Sequence, residues 1–137
     1  MTNIEAALGL AQYERLPAAL ESKRRARALY VDRLAPIAEI EFQLAGKEDA
    51  PSWWLTGILL PRGRAVEAVQ DSLRSRGVPT RRVFRPLHTL PRYQSARRSS
   101  LGVSEDLFAR GLCLPSSVRN DQATIERVCA AVREVLA

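Results

Sequence analysis

Apolar positions along the chain recur at two different spacings. Val66, Val69 and Leu73 lie three and four residues apart between residues 64 and 76, the pattern of a helix with one buried stripe, and Gly77 and Pro79 mark its stop. The same spacing returns at Ile125, Val128, Cys129, Val132 and Leu136, behind Asp121 as N-cap, predicting a second amphipathic helix. Strand signals lie between and before them. Trp53 to Leu60 (WWLTGILL) is aromatic and branched, with Gly57 breaking its side-chain row. Ile37 to Leu44 alternates loosely through Ile40, Phe42 and Leu44, Thr80 to Phe84 is a short strand, and Leu112 to Leu114 is extended. Ser104 is the expected N-cap of a short helix reaching Arg110, while Gly46–Pro51 is a polar loop and Ser95–Gly102 a polar, mobile excursion.

Residues 3–14 (NIEAALGLAQYE) read as a helix with almost no polar side. A helix apolar all round needs partners on every face, and so small a domain can hardly surround its own arm. The segment is therefore expected to be an interface element. Pro17 either kinks this helix or opens a second one over residues 17–35, with Leu16, Leu20, Tyr30 and Leu34 as core contacts. The expected organisation is an interface helix over residues 1–16 and a domain over 17–137, in the order α-α-β-β-α-β-α-α. The fold class is α+β, a small, mostly antiparallel sheet backed by helices.

A length of 137 residues bounds this to one domain, or a small domain plus an arm, with enough apolar residues for a core. No apolar run spans a membrane and no signal-peptide pattern opens the chain, so a cytoplasmic protein is expected. Cys113 and Cys129 alone make neither a disulfide framework nor a metal site and read as buried hydrophobes. The net charge of +6 raises nucleic acid as a partner. Yet only Lys23 and Lys47 of the 21 basic residues are lysines, a bias that GC-rich coding produces. Apart from Lys23–Arg27 the cations are spread along the chain rather than aligned on a face, which makes nucleic acid the weaker reading.

Familiar catalytic signatures (a dinucleotide-binding glycine pattern, a Walker loop, a zinc-protease helix, a nucleophile elbow) do not occur, and His88 is the single histidine. No catalytic residue is assigned. One segment concentrates chemistry: Thr80–Tyr93 (TRRVFRPLHTLPRY) gathers a histidine, several arginines and two aromatics on a proline-stiffened loop. Such a loop can offer guanidinium groups to phosphate and an imidazole to a polar substrate. It can equally be a rigid connector whose histidine caps a backbone group.

The residues resemble a known family at this point. MTNIEAALGLAQYERL, the basic helix ending Leu29-Tyr30, WWLTGILL, the turn Gly77-Val78-Pro79-Thr80-Arg81, the loop Pro86-Leu87-His88, Gly111 to Ser117 (GLCLPSS) and Ile125-Glu126-Arg127-Val128 follow the order seen in pyridoxal-phosphate sugar aminotransferases of the DegT/StrS group. The loop and the GLCLPSS stretch are most like perosamine-synthase-type members, which aminate a GDP-linked 4-keto-6-deoxy sugar. The resemblance implies the C-terminal small domain of a fold-type I aminotransferase, in which His88, Arg81, Phe84 and Tyr93 face a sugar nucleotide. Arg85 stands where an aromatic is common. The resemblance further implies that pyridoxal 5'-phosphate and its Schiff-base lysine belong to a larger domain absent from this chain, so the chain alone holds no cofactor and is not catalytic. A truncated gene, a split enzyme or a fragment would each give such a product. The implied partners are a large aminotransferase domain or a second copy. An orphaned small domain acting as an interaction or regulatory protein is the alternative.

Overall fold

The computed structural model describes all 137 residues. Its elements are α1 (Asn3–Leu34), β1 (Glu41–Phe42), β2 (Thr56–Leu59), α2 (Val66–Ser75), β3 (Arg81–Arg82), α3 (Gly102–Arg110), β4 (Gly111–Leu114) and α4 (Gln122–Leu136). The four strands form one open antiparallel sheet in the order β1-β2-β4-β3. Strand alternation sends Ile58, Leu60, Leu112 and Leu114 to the face covered by α1, α2 and α4, where they join Tyr30, Leu34, Leu73, Ile125, Val128 and Val132 in one core. The fold is thus α+β.

Local chemistry fixes the element ends. Thr2 and Glu5 form a reciprocal capping box at the start of α1. Asp121 Oδ1 accepts from the Thr124 backbone N–H at 2.8 Å and caps α4, and the hydrogen bonds from Thr124 hold its carboxyl below the usual range. α2 ends in a Schellman motif. The Val78 N–H donates to the Leu73 carbonyl and the Gly77 N–H to the Arg74 carbonyl, with Gly77 at φ +71°, a left-handed position that glycine takes without strain. Val78 is thereby driven into the core.

Several expectations are corrected. Residues 3–14 and 17–35 are one continuous helix. Pro17 lies inside it and leaves the Tyr13 carbonyl without its intrahelical donor, and the helix carries on. Tyr30, whose hydroxyl donates to the Pro115 carbonyl at 2.9 Å, and Leu34 are fully buried, but Leu16 is exposed because residues 1–18 extend past the rest of the molecule. Strand 37–44 shrinks to Glu41–Phe42, preceded by Glu39 at φ +66°. Strand 53–60 shrinks to Thr56–Leu59 because Trp53, at φ +50°, is left-handed rather than extended. Leu112–Leu114 belongs to a central strand, β4, between β2 and β3. Ser104 is not an N-cap: α3 starts at Gly102, and the Ser104 hydroxyl donates to the Leu101 carbonyl. The expectation for the cysteines holds: both are buried and unpaired, and burial pushes the Cys129 thiol up to about 11.

One polar anchor depends on partners distant in the sequence. Arg110, the last residue of α3, is almost fully buried. Its Nε and Nη2 donate to Asp106, and its Nη1 donates to Glu41 at 2.8 Å and to the Leu60 carbonyl at 3.1 Å. The hydrogen bonds from Arg110, reinforced by Arg62, hold the Asp106 carboxyl below its ordinary range. A folded-state pKa below the unfolded value stabilises the protein above the unfolded pKa of ~3.9, and that contribution is lost as pH falls through the folded value. Asp106→Asn should therefore lower stability at neutral pH, with the gap to wild type closing in acid. Urea denaturation of both proteins at about pH 7 and about pH 3 tests this; a constant gap contradicts it.

Candidate functional site

The chemistry-bearing loop leaves the sheet at β3, an edge strand paired through Arg81–Cys113 and Arg82–Leu112, and returns to it through α3 and β4. Pro86 and Pro91 set two 3₁₀ turns, Leu87–Thr89 and Pro91–Tyr93. The loop is braced from within: Arg85 Nε donates to Thr89 Oγ1 at 2.8 Å, and that hydroxyl donates to the Pro86 carbonyl at 2.8 Å. Arg85 is thus a brace of the loop. His88, with 14% of its side chain exposed, places Nε2 2.9 Å from Glu105 Oε1 on α3. Between this loop and the start of α3 lies a cavity of about 490 Å³, lined by Pro86, His88, Tyr93, Arg97, Arg98 and Ser104 among others.

The structure brings together two of the four expected site residues. His88 and Tyr93 share the cavity. Arg81 does not line it: it is exposed on β3, opposite Cys113, whose thiol burial pushes up while the nearby Arg81 cation opposes the shift. Phe84 is 70% exposed and stacks on Trp54, ring centroids 6.2 Å apart, at a separate place on the surface. The cations that do line the cavity are Arg97 and Arg98. In the sequence they fall within the polar stretch Ser95–Gly102. The adjacent arginine pair four residues after Tyr93 was the available signal.

Trp53, a left-handed residue, is half-buried and lies outside the core cluster. Arg27 lies over the Trp53 ring at 4.6 Å and over Phe42 at 5.0 Å, while Trp54 is largely exposed. Eight of the arginines (24, 25, 33, 62, 74, 76, 82 and 110) are held in ion pairs. No helix is long and apolar enough to cross a membrane.

With this geometry in place, comparison with known proteins assigns the class. Residues 1–133 match the DegT/DnrJ/EryC1/StrS aminotransferase family. The chain is 32% identical over 142 residues to GDP-perosamine synthase of Caulobacter vibrioides, covering 99% of this chain and 38% of that protein. It is 31% identical over 120 residues to the putative pyridoxal phosphate-dependent aminotransferase EpsN of Bacillus subtilis, covering 85% of this chain and 31% of that protein. The solved structure of DesI in the presence of its TDP-sugar product is 26% identical with a TM-score of 0.86, over 96% of this chain and 34% of that one. Helicobacter pylori PseC, an aminotransferase involved in the biosynthesis of pseudoaminic acid, shares the fold with a TM-score of 0.88 at 20% identity, over 97% of this chain and 37% of that one. The chain belongs to the DegT/DnrJ/EryC1/StrS aminotransferase family. It spans about a third of the length of the curated relatives it matches.

The family's cofactor is pyridoxal phosphate, and the residues of this chain do not fit its attachment. A lysine that binds the cofactor carbonyl needs an amine free to attack. The Lys23 ammonium instead donates to the Trp54 carbonyl at 2.8 Å and to the Ser116 carbonyl, fastening α1 to two loops, and burial lowers its pKa. Lys47 sits exposed on the 43–55 loop with no cradle around it. The cofactor belongs to the complete enzyme. Pyridoxal phosphate mixed with this chain should give no stable visible band that borohydride fixes onto Lys23 or Lys47. Absorbance followed by peptide mass spectrometry checks this, and stoichiometric labelling of Lys23 contradicts it.

Proposed function

We propose that this chain is the small-domain part of an aminotransferase that uses pyridoxal phosphate to aminate a nucleotide-linked 4-keto sugar. The loop cavity would form one wall of the substrate cleft. The observation that carries this reading is the gathering of an imidazole, a phenol and two guanidinium groups in one cavity of a chain that matches a sugar-aminotransferase family along nearly its whole length. Guanidinium groups suit the diphosphate, and the imidazole and phenol suit sugar hydroxyls. Arg81 and Phe84 lie outside the cavity and are assigned to more distant parts of the substrate. This chain supplies binding and orientation, and the amino-transfer chemistry belongs to the domain that bears the cofactor.

The first eighteen residues bear on partners. Ile4, Leu8, Leu10 and Tyr13 are each more than half exposed on α1, a density of apolar surface that soluble monomers rarely leave uncovered. In the complete enzyme this end of α1 would pack on the cofactor-bearing domain. In the isolated chain it is expected to pair with a second copy. Sedimentation should show concentration-dependent association that Leu8→Glu abolishes; a monomer at high concentration, unchanged by the substitution, contradicts it.

The site itself is tested in an enzyme that joins this chain to its cofactor domain. His88→Ala should lower kcat/KM by ~10–100-fold, the size expected of a positioned polar contact, with little loss of thermal stability. Arg81→Ala and Arg97→Ala should raise KM and leave kcat in place, because contacts to phosphate are equally strong in ground and transition states. A large drop in Tm on His88→Ala, with turnover per folded molecule intact, would make the loop a structural connector.

A further inference from the structure

We infer that Glu105 is a positioning residue that fixes the proton of His88 on Nε2, so that Nδ1 faces the cavity ligand as a hydrogen-bond acceptor. The inference rests on the reading of this cavity as a substrate wall and says which atom of His88 does the work. An ionised carboxylate only accepts hydrogen bonds. At 2.9 Å from Glu105 Oε1, Nε2 must therefore carry the proton, and in a neutral imidazole Nδ1 is left with its lone pair. Nδ1 makes no hydrogen bond within the chain, while the ring itself is largely enclosed.

The elements around the pair hold it in this state. Glu105 sits in the first turn of α3, its backbone N–H bonded to the Leu101 carbonyl, so its carboxylate is aimed by a helix start. His88 sits in the 3₁₀ turn closed by the Thr89 and Leu90 N–H groups, which return to Pro86 and Leu87. Arg97 and Arg98 line the same cavity, yet neither pairs with Glu105, so His88 is the carboxylate's sole hydrogen-bonded partner. The cavity thus divides its labour by polarity. Its arginines take acceptor oxygens such as those of a phosphate, and Nδ1 takes a donor, which in a sugar nucleotide is a hydroxyl of the sugar. A ligand offering only acceptor atoms at that position leaves Nδ1 unpaired, which is how the pair discriminates.

The sequence holds one histidine, so a chain labelled with ¹⁵N-histidine reports on His88 alone. At a pH well above ~6.5, where an ordinary imidazole is neutral, the ligand-free 137-residue chain should show a proton on Nε2, slowed in its exchange with water, and an unprotonated Nδ1. Glu105→Ala should speed that exchange at least about tenfold, the loss expected when a charge-assisted bond is removed. A proton on Nδ1, or an exchange rate unchanged by Glu105→Ala, overturns the inference. In the complete enzyme Glu105→Ala should cost about tenfold in kcat/KM, and should cost nothing further once His88 is already Ala. Additive losses would show that Glu105 acts by another route and would overturn its positioning role. The substrate-wall reading fails separately, if His88→Ala leaves kcat/KM unchanged while the ligand-free spectrum still shows the Nε2 proton.

Discussion

The close approach at Gly111 is the constraint on which the arrangement of this chain depends. A Cβ there would collide with the Leu107 carbonyl and the Val83 side chain, so the absence of a side chain is what lets α3 turn straight into β4 under the end of β3. β4 can then take the centre of the sheet, buried along its whole length, with β2 on one side and β3 on the other. Because β3 and β4 are neighbours in space but separated by almost thirty residues of sequence, everything between them must loop out and return. That excursion carries His88, Tyr93, Arg97, Arg98 and Glu105, and its cavity opens where it folds back on the first turn of α3. The site is a product of strand order.

Arg110 secures the return. Placed at the junction of α3 and β4, it joins Asp106 one turn back to Glu41 on β1 and to the Leu60 carbonyl past the end of β2. A buried guanidinium needs its donors satisfied, and here the partners come from three parts of the chain at once. On the opposite side of the sheet Arg82, packed over the Phe108 ring and paired with Glu67, ties the β3 end of the excursion to α2 and α3. Arg82 and Arg110 are thus structural, whereas Arg97 and Arg98 line the loop cavity.

What was legible in the sequence was whatever depends on local spacing. The stripes of α2 and α4, the Asp121 cap and the Gly77 stop all follow from residues within one or two turns, and the family resemblance preserved their order. What failed depends on distant partners. Leu16 has the right spacing for a core contact but no element lies near it, and Leu112–Leu114 reads as a mere extended piece until β2 and β3 flank it. Trp53 has high strand propensity, yet it stands at φ +50° beside Arg27 and one residue before the Lys23-bound carbonyl of Trp54. The candidate site was half legible: the loop was visible as a concentration of chemistry, whereas the role of Glu105 and the Arg97–Arg98 pair required knowing where the excursion comes back.

α1 is 32 residues long, so at 1.5 Å per residue it is a rod of about 48 Å. Only its second half is embedded, riveted by Lys23 to the Trp54 and Ser116 carbonyls and by the Tyr30 hydroxyl to Pro115. Its first half stands clear and is closed at the tip by its own capping box. The one residue that weakens the rod's hydrogen-bond ladder, Pro17, falls where the free half meets the fixed half. The hydrogen-bond gap at Pro17 therefore lies where the exposed part of the helix meets the embedded part, outside the core cluster.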